Sequence, residues 1–498
     1  MSTCSMPLDA GSRRHDGITT AVAVFKRLSG VLLLFVALCA APPAFAQHTD
    51  LPEPVKQALA RAKLPESSVA VYVHEIGAHR PAVAHGDERV LNPASTMKLV
   101  TTYAALELLG PAYLWHTEAY GGGPLVNGVL NGDLILKGFG DPKMTIEDFW
   151  MLLRNLRARG VRDIRGDLVL DRSFFSREEH DSGRFDDQPT RPYNTAPDAL
   201  LVNFKAVTAQ FVPDPEGRTV RVVVDPLLPQ IKVANDIRLV TGPCGNWLAQ
   251  LKIDVQGSAN AAQLSFAGNY ALECGEQARS FSVLGHREYI AGLFSALWQE
   301  MGGTLGGVVR DGEVPPGARL IAAQRSDTLA EIVRDINKFS NNVMARQLFL
   351  TLGAVAEGAP ATADKSSRTI KQWLAAKGLV FPELVLENGS GLSRIERITA
   401  KHLGQLLLAA YASPVMPELI ASLPLTAVDG TMRKRLAKAL VAGQAHMKTG
   451  SLSNVRSIAG YVLDGRGRRV VVVFIVNHPN AGNAQPVQDA LLQWVYLR

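Results

Sequence analysis

The sequence predicts an α+β protein of several domains, and three observations carry that reading. Strand-like segments occur at both ends of the chain, helix-like segments lie between them, and the middle reads as a β-rich insertion. Residues 67–75 (SSVAVYVHE) and 80–86 (RPAVAHG) alternate apolar side chains and read as a hairpin. Residues 455–478 hold two strand-like runs joined around Asp464-Gly465, a strong hairpin signal. These two regions look like halves of one sheet. The tail, 484–498, reads as a helix that covers it. Helical patterns over 95–109, 327–353, 364–377 and 400–411 supply a second layer.

From about 118 to 315 the texture changes to Gly, Pro and short strand-like runs such as GDLILKGFGDP, RTVRVVVDPLLP and ARSFSVLG. This stretch reads as an insertion into the sheet-and-helix domain. Residues 315–333 mark the return.

The first 46 of the 498 residues read as an export signal. Lys26 and Arg27 precede the apolar run 31–41, and Ala44-Phe45-Ala46 is an A-x-A cleavage site. That run is too short for a membrane span, and no later segment is long and apolar enough for one. Leu38 before Cys39 does not suit a lipidation site. Cleavage leaves 452 residues, enough for about three domains. It also lowers the net charge from +6 to +4. Such a mild excess does not argue for nucleic acid, and suits at most loose contact with a membrane surface. Cys244 and Cys274 remain and are expected to pair in an oxidising compartment. Closing their loop stabilises the chain by roughly 3–4 kcal/mol. Neither cysteine has a C-x-x-C partner and no H-E-x-x-H occurs, so neither a metal nor another cofactor is expected.

The chemistry centres on LNPASTMKL, residues 91–99. Asn92 and Pro93 give a helix start, with Asn as cap and Pro as first helical residue. Leu99, Tyr103, Leu106 and Leu109 continue the pattern and Gly110 stops it. Ser95 and Lys98 then share one face of the first turns, where an amine can reach a hydroxyl. Alone, such a pair is more often a cap and a solvated cation. Ser340-Asn341-Asn342 forms an S-x-N between two helical segments, although Ser258-Ala259-Asn260 repeats the pattern. Lys448-Thr449-Gly450 lies between two strand-like runs and occurs once. Asn388-Gly389-Ser390 and Gly140-Asp141 read as turns or structural elements.

In the order S-x-x-K, S-x-N, K-T-G, these elements resemble the active-site set of serine penicillin-binding proteins and β-lactamases. The spacing of 245 from Ser95 to Ser340 makes the chain similar to class C low-molecular-mass penicillin-binding proteins, which are D-alanyl-D-alanine carboxypeptidases/endopeptidases. The segments 138–144, 388–394, 423–436 and 457–462 support the likeness. It departs from the family pattern at Asn341 and Asn388, where Asp is commoner, and at Met447, where a smaller residue is usual.

The resemblance implies a penicillin-binding/β-lactamase-like transpeptidase domain, an antiparallel sheet flanked by helices, with two nested, β-rich inserted domains. The expected boundaries are 47–117 and 316–498 for the catalytic domain, 118–143 and 234–315 for inserted domain II, and 144–233 for inserted domain III. It also implies roles. Ser95 attacks the penultimate D-Ala carbonyl with Lys98 as base, and Ser340 relays a proton to the leaving amine. Asn342 holds Lys98 and the substrate amide. Lys448 and Thr449 grip the terminal carboxylate, and Gly450 leaves room along the strand edge. The N–H groups of Ser95 and Ser451 form an oxyanion hole. Peptidoglycan peptides are the expected substrate, β-lactams the expected acylating inhibitors, and the periplasm the expected location. The competing readings are a serine β-lactamase and a non-catalytic wall-binding or antibiotic-sensing protein.

Overall fold

The computed structural model describes residues 50–177 and 179–498, so the expected export signal lies outside the described residues. The two ends of the chain meet in one sheet. Its five strands run in the order Ala445–Leu452, Val455–Leu463, Arg469–Asn477, Val69–Glu75 and Val83–His85, each antiparallel to its neighbour. Alternate side chains serve opposite cores. Val71, Val73, Val470, Val472 and Phe474 pack with helices Glu53–Ala62 and Gln485–Leu497. Ala70, Tyr72, Val471, Val473 and Ile475 pack with Leu99, Tyr103, Leu403 and Leu407 of helices Lys98–Leu109 and Ala400–Tyr411. Burial on both faces explains the unbroken apolar run VVVVFIV.

The insertion carries a second core. One five-stranded sheet has the order Val309–Asp311, Leu168–Asp171, Leu134–Gly138, His116–Gly121 and Arg319–Arg325. A six-stranded sheet has the order Leu251–Gly257, Ala262–Ala271, Ile231–Val240, Thr219–Asp225, Val207–Asp214 and Gln277–Phe281. Helices Ile146–Ala158 and His286–Glu300 pack into the same apolar cluster.

This pairing moves the expected inner boundaries. Leu168–Asp171 lies beside Leu134–Gly138, so it belongs with the outer sheet and not with 144–233. Ile231–Val240 pairs in parallel with Ala262–Ala271, which keeps 234–281 with the inner sheet. The outer edge moves too, because Arg319–Arg325 pairs with His116–Gly121. Ladder hydrogen bonds between distant segments decide these edges, and composition does not register them. The sulfurs of Cys244 and Cys274 are bonded and tie the inner sheet's parallel pair together.

Candidate active site

Three segments converge where the helical layer meets the edge strand Ala445–Leu452. The first is the Ser95 turn. The expected α-helix does not begin at Pro93. A tight 3-10 turn, Ala94–Met97, comes first and the α-helix runs Lys98–Leu109. Pro93, not Asn92, stands at the N-cap, with no side-chain cap bond. From one residue ahead of that cap, Asn92 Oδ1 accepts from the Ala94 N–H at 2.9 Å. Ala94 has φ +47°, a strained setting for a residue with a side chain, and it directs the backbone into Ser95.

The second segment is the S-x-N turn. Ser340 closes helix Leu329–Phe339 in the left-handed region at φ +57°. Asn341 caps helix Asn342–Glu357 by accepting from the Met344 N–H at 3.1 Å. Ser340 and Asn342 therefore project from the junction of two helices. The third segment is the strand carrying Lys448. Its neighbour Gly450 lies against the Ser95 turn. A Cβ there would sit 2.1 Å from Ser457 Oγ, 2.8 Å from the Pro93 carbonyl and 3.0 Å from the Ser95 nitrogen. Space along the edge was expected at Gly450. The structure spends it on the approach of strand to turn.

Hydrogen bonds join the parts. Lys98 Nζ lies 3.0 Å from Ser95 Oγ and 2.7 Å from Asn342 Oδ1, and it also meets the Ser390 carbonyl. Lys448 Nζ donates to Ser340 Oγ at 2.8 Å and to the Thr449 carbonyl at 2.8 Å. Thr449 Oγ1 bonds Thr431 Oγ1 at 2.8 Å, and Ser451 is exposed beyond it on the same strand. All eight expected site positions thus fall on three adjoining segments.

Both lysines are fully buried, which is costly for a cation. Burial pushes Lys98 well below the usual lysine range, and the nearby Lys448 pushes it further. Burial brings Lys448 down to about 7. A neutral Lys98 has two N–H donors and one lone pair. Asn342 Oδ1 and the Ser390 carbonyl can only accept, so they take both hydrogens. The lone pair is left facing the Ser95 hydroxyl. The arrangement thereby turns the amine of Lys98 toward the Ser95 hydroxyl.

The sequence reading missed three contributors. The Ser390 carbonyl is a backbone group in a segment read only as a turn. Glu396 is fully buried beneath that turn, and Arg346 is almost fully buried beside it. A cavity of about 350 Å³ adjoins the turn, lined by His180, Phe185, Arg346, Asn388 and Arg394 among others. The Arg394 guanidinium lies 4.2 Å from the centre of the Phe185 ring, so the insertion supplies one wall.

Residues 51–496 match the D-Ala-D-Ala carboxypeptidase 3 (S13) family. The chain belongs to this family. The S13 chain is 27% identical over 432 residues to D-alanyl-D-alanine carboxypeptidase DacB of Haemophilus influenzae, covering 85% of this chain and 88% of that one. It is 30% identical over 500 residues to the D-alanyl-D-alanine carboxypeptidase of Actinomadura sp. strain R39, covering 97% and 90%. The crystal structure of penicillin binding protein 4 (dacB) from Haemophilus influenzae superposes with a TM-score of 0.76 at 26% identity, covering 89% of this chain and 99% of that one. That protein has also been solved complexed with a β-lactam, with a TM-score of 0.71 to the S13 chain.

Proposed function

We propose that this chain is an exported, periplasmic serine D-Ala-D-Ala carboxypeptidase that trims peptidoglycan stem peptides through an acyl-enzyme on Ser95. The observation that carries the mechanism is the bonding of Lys98, whose two fixed acceptors turn its lone pair onto Ser95 Oγ. Lys98 takes the Ser95 proton as the oxygen attacks the penultimate D-Ala carbonyl. The N–H groups of Ser95 and Ser451 receive the developing oxyanion. Ser340 donates its proton to the leaving amine and is resupplied by Lys448, which already donates to it at 2.8 Å. Water then attacks the acyl-enzyme, its proton passing through Ser340 back to Lys448 while Lys98 returns the proton it holds to Ser95 Oγ, and the shortened stem leaves.

The terminal carboxylate meets Lys448 and Thr449. An anion beside Lys448 favours its charged form, so arriving substrate recharges the lysine it binds. The new cation in turn holds Lys98 neutral. Where the leaving amine belongs to a second stem, the same steps open a cross-link. A β-lactam presents its strained amide to the same hydroxyl.

The test is the intact mass of the protein after incubation with a labelled penicillin, for wild type and for Ser95→Ala. One adduct on wild type, none on the variant, and D-Ala release from a D-Ala-D-Ala peptide bear the proposal out. A folded wild type that gains no adduct overturns it. An adduct lost as fast as penicillin is hydrolysed turns the reading to a β-lactamase.

A further inference from the structure

Glu396 lies outside the S-x-x-K, S-x-N and K-T-G elements, yet it is fully buried. Its Oε1 accepts three successive backbone N–H groups, from Glu387 at 3.1 Å, Asn388 at 3.0 Å and Gly389 at 2.9 Å. Burial raises the Glu396 carboxyl above its usual range, and the three donors on Oε1 pull it back toward the ionised form. The clamped turn leads directly to Ser390, whose carbonyl accepts from Lys98 Nζ. Thr101, on the Lys98 helix, donates to the Gly389 carbonyl at 2.7 Å. Gly391 is pressed against the Ser95 turn, where a Cβ would lie 2.0 Å from the Ala94 carbonyl oxygen. The turn therefore touches nucleophile and base together, and Glu396 sets its shape.

We propose that Glu396 is a positioning residue for Lys98: it clamps the 387–389 backbone so that the Ser390 carbonyl holds the amine beside Ser95. The proposal rests on Lys98 acting as the base for Ser95. Ser393 seats the clamp in turn, its Oγ accepting from the Glu396 N–H at 3.0 Å. Asn92, whose Oδ1 accepts from the Ala94 N–H at the head of the Ser95 turn, donates to the Ser393 carbonyl at 2.8 Å. Charge adds a second effect. Lys98 is faced by Lys448 from the edge strand, by Arg346 from helix Asn342–Glu357 and by Glu396. Glu396 is the acid among them, and its ionised form favours the protonated amine. Glu396 Oε2 and Arg346 Nε are both buried without a hydrogen-bond partner among the described residues. A glutamine amide at Oε2 therefore breaks no bond seen there.

The experiment compares wild type, Glu396→Gln, Glu396→Ala and Ser393→Ala. It reads the penicillin acylation rate constant and the initial dissociation constant across pH. Alanine at 396 frees the turn, and acylation falls on the order of 10²-fold with initial binding unchanged. Glutamine keeps the Oε1 acceptor and restores most of the rate. It also removes the anion near Lys98, so the acid limb of its profile moves to lower pH. A purely structural role leaves that limb in place. Ser393→Ala keeps Glu396 and only loosens its seat, so it gives a smaller loss of the same kind and stands in if Glu396→Ala does not fold. Wild-type acylation at Ser95, abolished by Lys98→Ala, checks the underlying reading separately. Overturning results are wild-type rates in Glu396→Ala and Ser393→Ala, or an unmoved acid limb in Glu396→Gln.

Discussion

The insertion and the active-site layer both bury charge, and they do so in opposite ways. Asp171 of the inserted outer sheet is fully buried. Its Oδ1 accepts from the Ser173 N–H at 3.0 Å and the Ser173 hydroxyl at 2.6 Å. Its Oδ2 accepts from Lys137 at 3.1 Å and the Val314 N–H at 3.0 Å. Burial alone raises such a carboxyl, but these four bonds prevail and hold it below the usual range. Lys98 and Lys448 are as deeply buried, yet their surroundings drive them toward the neutral form. A buried charge that holds a fold together is surrounded until it stays charged. One that moves protons is left close to losing its charge.

The widest gap between the two regions opens at Lys98. In the proposed mechanism Lys98→Ala removes the base and leaves Ser95 with no group to take its proton. We expect acylation by a labelled penicillin to fall roughly 10²–10⁴-fold. The contrast fails if this variant acylates at the wild-type rate.

Lys448 gives the next effect, and pH reads it. The proposed mechanism needs Lys98 neutral, so kcat/KM is expected to rise as pH climbs through the depressed Lys98 value. It also needs Lys448 charged for the proposed grip on the carboxylate, so kcat/KM is expected to fall again above about pH 7. The slope beyond that point is about tenfold per pH unit. Bound substrate recharges Lys448, so kcat keeps its value to higher pH than kcat/KM. A peptide ending in an amide lacks the carboxylate, and its profile loses the alkaline limb. An identical limb for both peptides would show that Lys448 does not read the carboxylate.

Much of this was legible before the fold was known. Ser95 with Lys98, and Lys448 with its two neighbours, are contiguous motifs, and their local geometry follows from helix and strand periodicity. The two sheet halves could be read because their strands are buried on both faces and their apolar runs are plain. The inner edges of the insertion could not. The pairing of Leu168–Asp171 with Leu134–Gly138 and of Ile231–Val240 with Ala262–Ala271 is made of backbone bonds between distant segments. The Ser390 carbonyl leaves no side-chain trace at all. Glu396 stands in an ordinary polar setting in sequence, and only the folded turn that it holds brings it near Lys98. Asn92 and Pro93 signalled a helical segment here, but its cap falls at Pro93 and a strained 3-10 turn beginning at Ala94 comes before the α-helix.

The smallest effect on catalysis belongs to Asp171, and it sharpens the contrast from the structural side. Asp171→Asn keeps an acceptor for Ser173 but points an N–H₂ group at Lys137 and the Val314 N–H, donor against donor. We expect a loss of about 1–3 kcal/mol in denaturant unfolding, with acylation per folded molecule unchanged. The pH dependence has a defined sign. The folded carboxyl is held below its unfolded value, so its contribution is present above that value and is lost as pH falls through the folded one. Wild-type stability should therefore drop on strong acidification by more than that of Asp171→Asn, and the two should converge at low pH. A variant that keeps wild-type stability at neutral pH would show that the four bonds merely offset the cost of burial. A stable variant that loses acylation would join the two regions in one function and end the contrast.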